Sequence, residues 1–166
     1  MMDAIQRLLP PDKRRHFLLL SIPEAHVSGI DSISFSTMKI VLSYGYHASR
    51  TAAFITMDEE TGHSDIVLRP GADVTDLSHE IGHHVQNQMA SESFSVVEED
   101  WRRAGHISSE VLFACGLSMY SMTDAEEFFA DLYSTWAMAT PMYRRARGIV
   151  REQFPGTAGI LDGLFE

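Results

Sequence analysis

The sequence predicts an α+β fold in which a small mixed β-sheet in the N-terminal half packs on a helical C-terminal half. Short apolar runs typical of strands precede Gly71, whereas after Gly71 the apolar residues recur with the period of a helix. A chain of 166 residues, 45% of them hydrophobic, is long enough to bury a sizeable core. We therefore expect a single domain over residues 1–166.

The elements expected in the N-terminal half are short. A helix over 3–9 is stopped by Pro10 and Pro11, and 16–22 is typical of a strand or of a helix end. Four strands are predicted next, at 32–36, 38–44, 52–57 and 65–69. The polar stretch 58–62, with its late glycine, predicts a hairpin-like connection between the last two strands.

The C-terminal half is predicted to contain five helices, over 74–90, 96–104, 109–118, 124–139 and 141–154. Asp73 or Thr75 is a suitable N-cap for the first helix, and capping-box spacing begins at Ser95 and at Thr123. Pro141 is expected to be the first residue of the last helix. The arginines of that helix are spread around it, which favours a solvated face over a binding site.

The segment His79-Glu80-Ile81-Gly82-His83 has the H-E-x-x-H pattern of helical zinc proteases. Positions four apart lie on one face of a helix, so His79 and His83 would aim two imidazoles at one metal ion. Glu80 would then lie where it could take a proton from a metal-activated water. The pattern alone would also fit an ordinary amphipathic helix with two exposed histidines.

Neighbouring residues favour the metal interpretation. A separate apolar stripe at i, i+4 spacing supplies the buried face of the same helix: Leu77, Ile81 and Val85. His84 projects elsewhere and is interpreted as a packing or surface residue. Gly82 weakens a helix by about 1 kcal/mol relative to alanine, so it fits best where something approaches the backbone closely.

A third ligand is expected downstream of His83. His106 is one candidate, but Glu127 is better, because Glu127 and Asp131 lie at i and i+4, where two carboxylates repel unless a cation lies between them. Glu126 fits instead as the capping-box partner of Thr123. We therefore assign Glu127 as the third ligand and Asp131 as the hydrogen-bond partner of a ligand imidazole.

Charge and cysteine content exclude several functions. A net charge of −10 with only two lysines makes a nucleic-acid partner unlikely and favours basic or neutral peptides. The single cysteine, Cys115, excludes an intramolecular disulfide and a cysteine-based zinc site, and it lies in an apolar run typical of a buried residue.

No segment approaches the ~20 apolar residues that cross a bilayer, and no signal peptide is visible. We therefore expect a protein that is intracellular, or one delivered by a route that the chain does not reveal. Oligomeric state has no signature in the sequence.

Two motifs together resemble the catalytic domain of anthrax lethal factor and the related Pro-Pro endopeptidases. They are the H-E-x-x-H segment and the later Glu-Phe-Phe-Ala-Asp at 127–131, which begins 44 residues after His83. Tyr120, seven positions before Glu127, matches a tyrosine of that family that lies near the metal. The resemblance covers mainly residues 65–135, and it departs at Asp131, where the family more often has glutamate.

The resemblance implies a zincin-like fold and a zinc-dependent endopeptidase. Zn²⁺ on His79, His83 and Glu127 would leave a position for water. Glu80 would act as general base, and the hydroxyl of Tyr120 would stabilise the oxyanion. The substrate, an extended peptide or protein, is expected to pair with an exposed edge of the sheet, for which 52–57 is the best candidate.

Two alternatives stay open. One is a regulatory metallopeptidase that cleaves a repressor inside bacterial cells, a class that shares H-E-x-x-H but usually carries a helix-turn-helix unit, which is not evident here. The other is a zinc-bearing or metal-free binding domain that keeps the motif without turnover. Neither the substrate sequence nor the biological role can be predicted from these residues.

Overall fold

The structure is a computed structural model that describes residues 4–36 and 53–166. Along the chain its elements are α1 (Ala4–Leu8), β1 (Ile30–Phe35), β2 (Ala53–Met57), β3 (Ser64–Leu68), α2 (Val74–Asn87), α3 (Ser91–Ala104), α4 (Ser109–Ala114), α5 (Ala125–Ala137), α6 (Pro141–Gln153) and α7 (Pro155–Phe165). Short 3-10 helices span Arg14–Phe17, Glu24–Val27 and Tyr120–Met122. The predicted α+β class is confirmed.

The sheet is mixed, as predicted. Its order is β1-β3-β2, with β1 parallel and β2 antiparallel to β3. The predicted hairpin joins β2 to β3, and its turn is closed by Asp58, whose carboxylate accepts hydrogen bonds from the backbone of Glu60 and Thr61 at 2.9 and 3.1 Å. β2 therefore lies at an edge of the sheet as described. The predicted strand at 38–44 falls outside the described residues.

Two predicted helix starts are wrong by a few residues. α3 begins at Ser91 without a side-chain cap, and the hydroxyl of Ser95 donates to the carbonyl of Ser91 at 3.0 Å instead of capping. Asp124, one position after the predicted Thr123, caps α5 by accepting from the backbone of Glu127. α3 therefore starts five residues earlier than predicted, with Ala90 as its N-cap, and α5 starts one residue later than predicted.

The helix predicted over 109–118 ends early. α4 stops at Ala114, and Gly116 adopts a φ of +88°, which other residues rarely adopt. The amides of Gly116 and Leu117 donate to the carbonyls of Phe113 and Leu112, the two bonds of a Schellman motif. A separate short turn with Tyr120 therefore leads from α4 to α5.

The last helix, α7, has no counterpart in the prediction. Its sequence begins with Pro155 and contains three glycines, so its intrinsic helix propensity is low. Tertiary contacts compensate: the buried carboxylate of Asp100 on α3 accepts from the amide of Thr157 at 2.8 Å. At Gly156 a Cβ would lie 2.5 Å from a methyl group of Val96, so a larger residue there would require Val96 to move. Pro141 does begin a helix, but not the last one.

The segment predicted as a strand or a helix end over 16–22 is largely irregular. It contains the end of a 3-10 helix at Phe17 and a single antiparallel bridge between Leu20 and Met138. The amide of Ser21 donates to the carbonyl of Ala137 at 2.8 Å, so this segment is attached to the end of α5.

The close packing of α2 against α5 organises the helical half. A Cβ on Gly82 would lie 2.9 Å from the Cα of Ala130, so both small residues are required for this approach. The close approach predicted at Gly82 is confirmed. The aromatic side chains and the leucine of α5 are buried in the core: Phe128, Phe129, Leu132, Tyr133 and Trp136.

The opposite face of α2 packs on the sheet through His84. This side chain is fully buried; its Nε2 donates to the carbonyl of Ser28 at 2.8 Å, and its Nδ1 accepts from the hydroxyl of Ser64 at 2.8 Å. Both ring nitrogens are therefore satisfied, which confirms the packing interpretation of His84.

Part of the arginine face expected to be solvated is structural. Arg147 on α6 donates to the carbonyls of Thr135, Trp136 and Met138 at 3.0, 2.8 and 2.6 Å, which satisfies the C-terminal end of α5. Arg151 pairs with Asp162 on α7 at 2.6 Å. Within 4–36 and 53–166, no helix has the length and apolarity to cross a membrane.

Candidate metal centre

The helix that carries the histidine motif has a complete N-cap. The carboxylate of Asp73 accepts from the amides of Thr75 and Asp76, and Asp76 accepts in return from the amide of Asp73 at 2.7 Å. This capping box fixes the start of α2, with Asp73 and not Thr75 as the cap. One and a half turns later, His79 and His83 lie on one face with their Nε2 atoms 3.1 Å apart.

The third predicted ligand comes from α5. Because Asp124 is the N-cap, Glu127 occupies the third helical position, and its side chain turns toward the histidines. Its Oε2 lies 2.9 Å from Nε2 of His79, and its Oε1 lies 3.5 Å from Nε2 of His83. His79, His83 and Glu127 thus form a group able to hold a metal ion, whereas His106 is exposed and lies outside it.

Hydrogen bonding fixes how His79 is presented. Its Nδ1 donates to Oδ1 of Asp131 at 2.8 Å, since a carboxylate can only accept. This is the contact predicted for Asp131, made in spite of its shorter side chain. In the neutral imidazole the lone pair then lies on Nε2, which faces His83 and Glu127.

When His79 is neutral, lone pairs therefore converge from three side chains, an arrangement that could hold a cation. Oε2 of Glu127 is buried and accepts no hydrogen bond with acceptable geometry, although Nε2 of His79 is 2.9 Å away. Two imidazole nitrogens and one carboxylate oxygen are a typical zinc donor set. Ligands about 2.1 Å from one tetrahedral ion lie about 3.4 Å apart, and here the two Nε2 atoms are 3.1 Å apart and each lies within 3.5 Å of one of the two Glu127 oxygens. The residues fit a zinc ion.

The pKa values of the group also show that its carboxylates favour a positive charge beside them. Burial alone would lower the pKa of His79, but the hydrogen bond to Asp131 and the close carboxylate of Glu127 outweigh burial and raise it to about 10. Burial alone would raise the pKa of Glu127, but the close imidazoles of His79 and His83 lower it to about 2. These two shifts describe one interaction from its two sides.

Glu80 and Tyr120 flank the group in different ways. Glu80 is only 7% exposed, and burial raises the pKa of its carboxyl group, which favours proton exchange nearer neutral pH. Tyr120 lies on the 3-10 turn before α5 and is 63% exposed. The negative charge of Glu127, aided by a hydrogen bond between the two side chains, raises the pKa of the Tyr120 phenol.

All of the predicted site residues line one open cleft of about 910 Å³. β2 forms one wall through Ala53, Phe54 and Ile55, and the end of α2 adds Gln86 and Asn87. The lining includes several carboxylates: Asp76, Glu80, Glu126, Glu127 and Asp131. Among the described residues that line this cleft there is no lysine or arginine.

The sequence interpretation missed two serines. The second oxygen of Asp131 accepts from the hydroxyl of Ser118 at 3.2 Å and from that of Ser121. Serine has no ligand pattern or periodicity that would mark it, so only the folded turn reveals these contacts. Tyr143 on α6 also lines the cleft and carried no signal, because its place depends on how α6 packs against α5.

The cleft brings together side chains of the types that metal-assisted hydrolysis uses. Hydrolytic zinc sites have three protein ligands and keep a further position for water. A buried carboxyl group with a raised pKa is suited to accept a proton from that water, and a phenol at the rim is suited to donate a hydrogen bond. Comparisons of the chain with protein-family models, with curated proteins and with solved structures find no match.

Proposed function

We propose that this protein is a zinc-dependent endopeptidase with a zincin-like fold. The observation that carries the proposal is the convergence of His79, His83 and Glu127 from two packed helices, within 3.5 Å of one another. The presence of buried Glu80 beside them in an open cleft supports a hydrolytic role over a purely structural one. The resemblance to lethal factor and the Pro-Pro endopeptidases points to the same reaction.

Each side chain has a role in this proposal. Zinc, when bound, polarises the scissile carbonyl and lowers the pKa of the attacking water. Glu80 accepts a proton from that water and delivers it to the leaving amine. Tyr120 donates a hydrogen bond to the oxyanion, and one such donor is typically worth about 3 kcal/mol of transition-state stabilisation. Asp131 holds His79 in the tautomer whose Nε2 is free to bind.

An extended peptide is the proposed substrate, paired with β2. Support comes from the position of β2 at an edge of the described sheet and from its residues in the cleft wall. An edge strand offers backbone groups to an added strand, so binding would not depend on a particular peptide sequence. Protection of the β2 amides from hydrogen exchange on binding a peptide would support this placement, and unchanged exchange would contradict it.

The test is zinc content together with cleavage of a mixed peptide library. Wild type, Glu80→Ala and Glu99→Gln are compared, the last being a matched loss of an exposed carboxylate on α3. We expect near one zinc per chain in all three proteins. Cleavage should be equal in wild type and Glu99→Gln and lower by at least about 100-fold in Glu80→Ala, because general-base catalysis is lost.

The other outcomes separate the alternatives. Zinc in all three proteins without cleavage of the library or of candidate proteins would favour a zinc-bearing binding domain. Cleavage confined to one repressor protein would favour a regulatory metallopeptidase. Absence of zinc from the wild type after exposure to excess metal would refute the proposal.

A further inference from the structure

Asp131 connects two parts of the cleft that come from different segments. Its Oδ1 accepts from His79 on α2 at 2.8 Å, while its Oδ2 accepts from the hydroxyls of Ser118 and Ser121. Both serines belong to the turn between α4 and α5, and Tyr120 lies between them. One carboxylate therefore contacts a predicted ligand and the turn that carries the predicted oxyanion donor.

The turn is held mainly by polar contacts made by these two serines. The amide of Ser118 donates to the hydroxyl of Ser121 at 2.7 Å, and the amide of Ser121 donates to the hydroxyl of Ser118 at 3.3 Å. The hydroxyl of Thr123 donates to the carbonyl of Tyr120. Ser121 is fully buried, whereas Tyr120 is 63% exposed. The exposed Tyr120 therefore lies directly before Ser121 in sequence, on a turn whose buried side chain is that of Ser121.

We propose that Ser121 is a positioning residue that acts through Tyr120. Its hydroxyl binds the turn to Asp131, so the carboxylate that orients His79 also sets the distance between the phenol and the metal ligands. This inference rests on the proposed function, because it assigns the hydroxyl a place in that reaction. If the serine merely stabilised the fold, its removal would affect binding and catalysis equally whether or not the Tyr120 hydroxyl is present.

The first experiment does not require turnover. The full chain is labelled with 3-fluorotyrosine, and the fluorine resonance of residue 120 is assigned from Tyr120→Phe. In wild type we expect this resonance to shift when zinc is added, because Glu127, the neighbour of the phenol, is a predicted ligand. In Ser121→Ala the zinc-induced shift should fall by about half or more, with zinc affinity within a few-fold of wild type.

The second experiment is a double-mutant cycle on peptide cleavage. Ser121→Ala should lower kcat by about 10- to 100-fold with little change in KM, because a small displacement of a transition-state donor is costly. In the Tyr120→Phe background, Ser121→Ala should lower kcat by less than about 2-fold, since the group that it positions is already gone. Ser95→Ala, an exposed serine on α3, is the control.

A second variant covers the case in which Ser121→Ala does not fold. Ser118 is exposed and donates to the same oxygen of Asp131, so Ser118→Ala keeps the buried side of the turn intact. We expect it to change the fluorine shift and kcat in the same direction, but less than Ser121→Ala. Circular dichroism and the unfolding midpoint establish that each variant is folded.

Distinct results overturn the inference and the proposed function. An unchanged zinc-induced fluorine shift in both serine variants, or equal losses of kcat with and without the Tyr120 hydroxyl, would overturn the positioning role alone. Failure of the wild type to bind zinc would overturn the proposed function and the inference with it. Zinc binding without any fluorine shift in the wild type would overturn the inference and remove Tyr120 from the mechanism.

Discussion

The two faces of α2 place adjacent histidines in opposite environments. His83 faces the cleft, where its Nε2 lies among the lone pairs of His79 and Glu127. His84, the next residue, faces the sheet, where a carbonyl accepts from one ring nitrogen and a hydroxyl donates to the other. One histidine belongs to a group that could hold a metal ion, and both ring nitrogens of the other have hydrogen-bond partners.

The difference shows that burial alone does not identify a functional histidine. Both side chains are largely removed from solvent, yet only the face with unmatched acceptors can gain from a bound ion. The useful criterion is whether the partners of a buried polar atom are complementary to it. By this criterion α2 has a structural face and a candidate chemical face, separated by about 100° of helix rotation.

The largest effect that would test this contrast is on zinc affinity. His83→Ala should weaken zinc binding by more than about 100-fold. This is more than the loss of metal affinity usually seen when a residue hydrogen-bonded to a ligand is removed. His84→Ala should leave zinc affinity within a few-fold. It should instead lower the free energy of unfolding by about 2–3 kcal/mol, because loss of the buried imidazole leaves a cavity and the buried Ser64 hydroxyl loses its partner.

Competition with a chromophoric chelator measures the affinity, and denaturant unfolding in the presence of a chelator measures the stability. The contrast between the faces would be refuted by a loss of zinc affinity in His84→Ala as large as that in His83→Ala. Intact zinc binding in His83→Ala would equally remove this residue from the ligand set.

A smaller effect is expected from separating the two helices. In Gly82→Ala the new methyl group would overlap with Ala130, so the free energy of unfolding should fall by about 1–3 kcal/mol. Zinc affinity should fall as well, because the ligands come from both helices. The matched control is Gly148→Ala on α6, where a Cβ meets nothing within 4 Å; alanine there should be neutral or stabilising by up to about 1 kcal/mol. Equal effects of both substitutions would contradict the proposed close contact.

The smallest effect concerns pH in the metal-free protein. The pKa of His79, raised from 6.5 to about 10 despite burial, means that the folded protein holds this proton more tightly than the unfolded chain does. This stabilisation is fully present below pH 6.5 and is lost as the pH rises through about 10. Tm measured with a chelator should therefore fall by a few degrees over this range.

Asp131→Asn is the matched variant for the pH series. It removes the charge that contributes most to raising the pKa of His79, so its Tm should depend less on pH over the same range. A wild-type Tm that stays constant or increases between pH 6.5 and 10 would show that His79 carries no stabilising proton.

The candidate site was more predictable than the elements around it. Helical periodicity places His79 and His83 together from sequence alone, and like charges at i and i+4 identified Glu127 and Asp131. Those signals are local or chemically distinctive. That His79 and Glu127 meet across two helices was inferred from ligand chemistry and from resemblance, and the structure brings them together.

The remaining features depend on contacts that no local pattern specifies. α7 forms although its glycines disfavour a helix, because Asp100 caps it from α3. The apolar pattern continues past Gly116, but α4 ends just before this glycine. The turn that follows is held by contacts among Ser118, Ser121 and Asp131. Propensity and periodicity carry no information about such partners.

The packing of Gly82 against Ala130 also determines when the site can form during folding. His79 and His83 become neighbours as soon as α2 is helical, whereas Glu127 and Asp131 join them only after α5 docks, 44 residues later in the chain. Closing a loop of that length costs chain entropy, so we expect this docking to follow the formation of α2. An isolated α2 would offer only a pair of histidines on one helix. The complete group of side chains therefore requires α5 to be docked on α2.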